Sequence, residues 1–303
     1  MHATRFALVS IALGLSASAG LAEPISGSLT IERVATVEDM GRMAVNPVTG
    51  EVAFGRTGPG TSDAYAVRVL DSDWTMREVG SPIRDPDAVV WDMDGSFGPA
   101  GSILVGSFKG LFAVTPGGNV NHVAQRSADL MNPEDMVMGA DGGLYYADYT
   151  QGRVMRLSVH GSFSPMMDKL AVNRVAIDTN GHIEALDVAG QLSTAGIAPQ
   201  GRFSEIAFGD GSSLWGDDRY VFDSDAGSLL RLLDTGATEV LATGFFDELA
   251  EQPERLVAQI GFMPSGEMLV SVPDTGAVYT LVPAPGAVAL AGLGALLAVR
   301  RKR

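Results

Sequence analysis

Arg42, Asp135, Arg174, Glu205 and Gln259, together with Ala88, each stand at the start of a short apolar run; the residues just before them are Gly41, Asp87, Glu134, Asn173, Ser204 and Ala258. If those runs are the innermost strands of a radial fold, the residues share one ring at one mouth. Polar side chains converging at the end of a rigid scaffold mark the place where a ligand site is expected. The same ring allows a plainer arrangement, with Arg42 and Arg174 paired to Asp135 and Glu205 as structural bridges. Other chemistries are excluded or poorly supported. The chain has no cysteine, so thiol nucleophiles, thiolate zinc sites and disulfides are ruled out. It has no Gly-x-Ser-x-Gly elbow and no phosphate-cradling glycine loop. His122, His160 and His182 fall in or beside expected turns, without the spacing of two ligands on one helical turn. Asp92–Ser96 and Asp223–Gly227 carry parts of a calcium-loop pattern but lack its closing Glu, and read as Asp-rich hairpin tips. Trp74, Trp91 and Trp215 are isolated and fit packing between sheets better than stacking on sugars.

The elements that must position the ring are β-strands. Apolar runs are short, often β-branched, and broken by turn dipeptides, with 37 glycines in 303 residues. The clearest unit runs from Asn132 to Leu157: a strand at Met136–Met138, a turn at Asp141-Gly142, a strand at Leu144–Ala147, a turn at Gln151-Gly152 and a strand at Val154–Leu157. Asp-Gly between alternating apolar runs is a strong hairpin signal. Related units begin at Arg42, Pro86, Asn173, Ser204 and Gln259, and their equivalent turn glycines are Gly50, Gly95, Gly142, Gly181, Gly211 and Gly266. These recur on average about every 43 residues, the length of a four-stranded propeller blade and too short for an independent sandwich. The expectation is an all-β, six-bladed β-propeller over residues 23–281. Ser28–Val34 is expected to complete the last blade beside the Gln259 unit.

One unit supports a resemblance. Pro133-Glu134-Asp135-Met136, then Asp141-Gly142-Gly143-Leu144-Tyr145-Tyr146-Ala147-Asp148, then Gly152-Arg153-Val154-Met155-Arg156 resembles the repeats of NHL and SMP-30/gluconolactonase-like propellers. That resemblance implies a divalent cation in the channel, such as Ca²⁺, held by carboxylates and an Asn, polarising a lactone carbonyl or activating water. On this chain Asp135 matches the ligand-bearing position, with Asn173, Glu205, Asp87 and Glu134 as candidate partners. The chain departs from the pattern at Met136, where the family has Gly, and shows no clear Asn-Gly ligand motif elsewhere.

The ends read as addresses. Arg5, the apolar run Phe6–Leu15 and the small residues that follow form a secretory signal over residues 1–22. Gly20 and Ala22 place signal-peptidase cleavage before Glu23, with Ala17-Ser18-Ala19 as a competing site. At the other end, 282–303 joins an apolar stretch to four basic residues, the pattern of a marginal span with a cytoplasmic stop. This tail resembles PEP-CTERM sorting signals: Val282, Pro283, Ala284 and Pro285 stand at the motif, Ala287–Val299 as the transmembrane helix, and Arg300, Arg301, Lys302 and Arg303 as the cluster. The resemblance implies an exosortase-type partner and a Gram-negative-type envelope; Ala284 replaces the usual Glu. Arg5 and the four terminal basic residues lie in segments without Asp or Glu. Setting those five aside leaves 16 Lys and Arg against 36 Asp and Glu, a charge of −20, which disfavours nucleic acid.

Three functions are then open: an exported envelope or matrix propeller that binds a polysaccharide or protein ligand, a metal-dependent lactonase-type hydrolase, and a structural component of exported polysaccharide assemblies. The incomplete ligand pattern ranks binding first.

Overall fold

The computed structural model describes residues 29–56, 63–168, 171–193, 201–212, 214–233, 235–245 and 257–283. The signal peptide and most of the sorting tail, including its apolar helix, fall outside the described residues. Within them the chain is all-β and forms six sheets arranged as a propeller. It opens with β1 (Leu29–Thr36), whose partner strand comes last. Blade 1 is β2 (Met40–Val45), β3 (Val52–Arg56), β4 (Ala64–Leu70) and β5 (Met76–Arg84). Blade 2 is β6 (Pro86–Asp92), β7 (Ser102–Ser107), β8 (Gly110–Val114) and β9 (Val120–Gln125). Blade 3 is β10 (Pro133–Met138), β11 (Leu144–Asp148), β12 (Arg153–Leu157) and β13 (Phe163–Met167). Blade 4 shows three strands among the described residues, β14 (Val172–Ile177), β15 (Ile183–Asp187) and β16 (Leu192–Ser193). Blade 5 is β17 (Phe203–Phe208), β18 (Arg219–Asp223), β19 (Ser228–Leu232) and β20 (Thr238–Ala242). Blade 6 is β21 (Gln259–Phe262), β22 (Met268–Val272) and β23 (Ala277–Pro283), with β1 as its fourth strand.

All pairings are antiparallel, and the inner strands β2, β6, β10, β14, β17 and β21 contact one another in a closed ring. The six hairpin glycines expected from the repeats all lie at positive φ, from 72° at Gly142 to 99° at Gly266. Glycine adopts this conformation without the Cβ clash that other residues meet. The closure expected of the N-terminal strand is also present: Thr30 pairs with Val282 and Thr36 with Ala277. The strand β23 therefore includes Val282 and Pro283, which the sequence reading placed at the head of the sorting motif.

The core is divided into six apolar clusters, one in each gap between neighbouring blades. Trp215, Tyr220, Phe222 and Tyr279 fill the gap between blades 5 and 6. Leu104, Leu144 and Tyr146 join blades 2 and 3. The smallest cluster, between blades 3 and 4, is built from Ala147, Val154, Val172, Val175 and Ala185. Two tryptophans bolt blades together: Trp91 Nε1 donates to Ala44 O on blade 1 (3.1 Å), and Trp215 Nε1 donates to Gly266 O on blade 6 (2.8 Å). Trp74 packs against the cluster between blades 1 and 6.

Candidate functional site

Each of the first five inner strands slips register at its N-terminal end. The slip falls at Gly41–Arg42 in β2, Asp87 in β6, Glu134 in β10, Asn173 in β14 and Ser204 in β17. Only β21 pairs regularly from its first residue, Gln259. A β-bulge sets two residues against one and re-aims a side chain. Here it presents the bulged residue to the channel mouth and buries its successor. At Asp87 the bulge needs a close neighbour without a side chain: a Cβ on Gly55 of blade 1 would sit 2.4 Å from the Asp87 carbonyl oxygen.

The buried successors form the ring. Arg42 grips two carboxylates, with Nη2 3.0 Å from Asp135 Oδ1 and Nη1 2.8 Å from Glu205 Oε2. Its Nε also donates to Asp135 Oδ1 (3.1 Å), and Asp135 Oδ2 accepts from Val175 N (3.0 Å). Arg174 Nε lies 3.6 Å from Glu205 Oε2 and donates to Ser204 O, while its Nη1 donates to Asn173 O (2.6 Å). Gln259 ties blade 6 to blade 1, donating to Gly41 O (2.7 Å) and accepting from Met43 N. Blade 2 contributes only the fully buried Ala88. Burial alone would lower Arg42, but Asp135 and Glu205 outweigh it and raise its pKa. Arg174 is lowered to about 10 by burial and by the neighbouring Arg42. Burial pushes Glu205 up, against the pull of Arg42 and Arg174.

Above the ring lies a cavity of about 710 Å³, lined by the bulge residues Gly41, Asp87, Glu134, Asn173 and Ser204. Turns at the same end complete it, bringing in Asp39, Asp187, Arg202, Ser224 and Asp274, none of which the repeat alignment had singled out. The signal that could have found them is positional: they precede an inner strand or follow the second strand of a blade, at the same end as the ring. Asp87 is pushed up to about 8, first by burial and then by Glu134 and Asp85. Glu134 is raised by burial, which outweighs Arg174, the hydrogen bond from Asn132 Nδ2 (2.7 Å) and Arg42.

The structure thus brings together every candidate ligand named from the sequence, in two layers. Asp135 and Glu205 face the Arg42 guanidinium, and Asp87 and Glu134 face the cavity. Asn173 lies beside them with its Oδ1 buried and unbonded. These residues do not fit a divalent metal as arranged. The point between the ring carboxylates is taken by a guanidinium, and among the described residues no group of three or more His, Asp or Glu converges on a common point. The other acidic motifs are turn supports. Asp92 accepts from Ser96, Phe97 and Gly98 N, and Asp223 from Asp225 and Ala226 N. His182 bonds Asp178 on the surface, and His122 stacks on Phe112.

No protein-family model and no curated protein matches this chain. Solved structures do resemble it. A gluconolactonase from Xanthomonas campestris superposes with a TM-score of 0.60 at 12% identity, over 88% of this chain and 99% of that one. Virginiamycin B lyase from Staphylococcus aureus gives 0.53 at 12% identity, over 84% and 100%. An auxiliary nutrient binding protein from Bacteroides ovatus gives 0.58 at 14% identity, over 82% and 70%. At such identities the likeness shows the fold, a six-bladed β-propeller, and nothing further.

Proposed function

We propose that this chain is an exported envelope propeller that binds a small polar ligand at the mouth of its channel. The observation that carries this is the open, polar cavity above a ring whose charges are already paired. A pocket of this size with a few placed polar groups suits a small molecule, and the nutrient binding protein of similar fold is a precedent for binding. The resemblance of the two ends to a secretory signal and a PEP-CTERM sorting tail supports an envelope location. A second reading, a lactonase-type hydrolase, is favoured by the likeness to a gluconolactonase. It would require a cation where Arg42 sits.

The test is a thermal-shift screen of sugars, lactones, amino acids and amines on the wild type and on Val188→Trp. Val188 is an exposed residue lining the cavity, where an indole narrows the opening without disturbing the core. Ligands are expected to raise the wild-type midpoint and to lose most of that effect in the variant. If no compound acts, or if the active ones ignore Val188→Trp, the mouth is not a binding site. Calcium, magnesium, manganese and zinc titrations of chelator-stripped protein complete the test. A tight stoichiometric site lost in Asp135→Ala would restore the hydrolase reading.

A further inference from the structure

The wall of the cavity on blades 2 and 3 differs from the rest of the lining. The Asp87 carboxyl makes no hydrogen bond and no ion pair among the described residues. Glu134, the equivalent bulge residue one blade on, is held by Asn132. Behind Asp87 stands Asp85, itself buried. Two of the three arginines that line the cavity are committed elsewhere. Arg42 turns down onto Asp135 and Glu205, and Arg174 onto Glu205 and two backbone carbonyls. Five carboxyl side chains line the cavity against three arginines; Asp39 is paired with Arg56 outside the lining (3.0 Å), and the charges of Arg42 and Arg174 are offset from below by Asp135 and Glu205. The opening therefore presents acceptors and negative potential.

We infer that Asp87 and Glu134 together bind the ammonium group of a small organic cation. This rests on the mouth-binding reading above and names its ligand class. An ammonium suits the wall because its three N–H donors need only a few acceptors, and charge-assisted bonds to carboxylates are the strong ones. A divalent metal needs a fuller oxygen shell than this wall offers. The groups facing Asp87 set the pH dependence: Glu134 and Asp85 hold its proton on, and a bound cation would displace it. Arg42 and Arg174 act on Glu134 in the opposite sense. Affinity should therefore rise with pH until Asp87 is ionised without help, and binding at lower pH should release up to one proton.

The experiment is calorimetry on the purified full chain. The probes are 1,4-diaminobutane and ethanolamine, with butane-1,4-diol and ethane-1,2-diol as neutral counterparts. Each is measured at about pH 6.5 and about pH 8.5, in buffers of different ionisation heat. The amines are expected to bind at least about tenfold more tightly than the diols, and several-fold more tightly at the higher pH. Proton release at the lower pH should vanish in Asp87→Asn. Affinity should fall about tenfold in that variant and less in Glu134→Gln. Asp94→Asn, at an exposed turn on the opposite face, should change nothing. Diols that bind as well as amines, with a signal lost in Val188→Trp, would overturn the cation assignment and leave the mouth site standing. Amine binding indifferent to Asp87→Asn would also overturn it. So would the absence of binding by every probe, in which case the thermal screen decides the mouth reading by itself.

Discussion

Glu134 and Asp135 are adjacent in β10, yet they live in opposite electrostatic worlds. Asp135 is buried against Arg42 and a backbone N–H, and its charge is answered. Glu134 faces the cavity, and burial pushes it toward the neutral form. The same contrast separates the ring as a whole from the wall above it, where the Asp87 carboxyl has no partner among the described residues. A one-residue bulge makes the difference. It lets one strand supply a structural charge and an available charge side by side. Buried charges that are paired hold blades together; those left unpaired await a proton or a ligand.

The comparison breaks most sharply at Arg42. Arg42→Met strands Asp135 and Glu205 without their counter-ion, and denaturant unfolding should show a loss of about 3–5 kcal/mol. Adding Asp135→Asn and Glu205→Gln should recover much of that loss. If the single variant unfolds like the wild type, the ring is not the clasp described here.

The wall should respond in the other direction. Asp87 holds its proton in the folded state up to about pH 8, whereas unfolded it ionises near its ordinary value. The folded protein thus binds the extra proton between those limits, and stability declines as pH rises from about 4 to about 8. Asp87→Asn removes this decline and should gain on the order of a few kcal/mol at about pH 8 and almost nothing near pH 4. A variant less stable than wild type at pH 8 would show that the carboxylate has a native partner. Glu134→Gln should act in the same sense but by less than about 1 kcal/mol, because Asn132, Arg174 and Arg42 already support its charged form. The smallest effect is expected far from the mouth, at the hairpin residue Asp141. There Gly143 N–H, Arg156 and Tyr145 outweigh desolvation and lower its pKa, so its contribution is lost as pH falls below the ordinary carboxylate range. Being largely exposed, it should cost no more than a few tenths of a kcal/mol in Asp141→Asn.

Much of this architecture is legible in the amino-acid sequence. Hairpin glycines write their backbone requirement into the chain, so Gly50, Gly95, Gly142, Gly181, Gly211 and Gly266 marked the blades. Alignment on the first apolar residue then brought Arg42, Asp135, Arg174, Glu205 and Gln259 into one ring. The partition of carboxylates between ring and wall was not legible, because a bulge has no residue signature: Gly, Asp, Glu, Asn and Ser all occupy the slip. The pairing of Arg42 with Asp135 and of Arg174 with Glu205 was among the expectations, but Arg42 also reaching Glu205 on blade 5 was hidden, since it depends on the width of the channel. The turns carrying Asp187 and Asp274 escaped because nothing in their composition sets them apart from turns on the other face. The tail motif was read as starting at Val282. A strand does not stop at a motif's edge, and pairing with Leu29 and Thr30 carries β23 through Pro283.

That last pairing has a consequence for how the molecule is held. In blade 6, Thr36 and Ala277 lie at the end of the sheet near Asp274 and the cavity, while Leu29 and Pro283 lie at the other end. Leu29 and Pro283 therefore sit side by side on the face of the propeller away from the cavity. A cup fixed by its base keeps its rim free. A connection made through Leu29 or Pro283 would leave the opening uncovered.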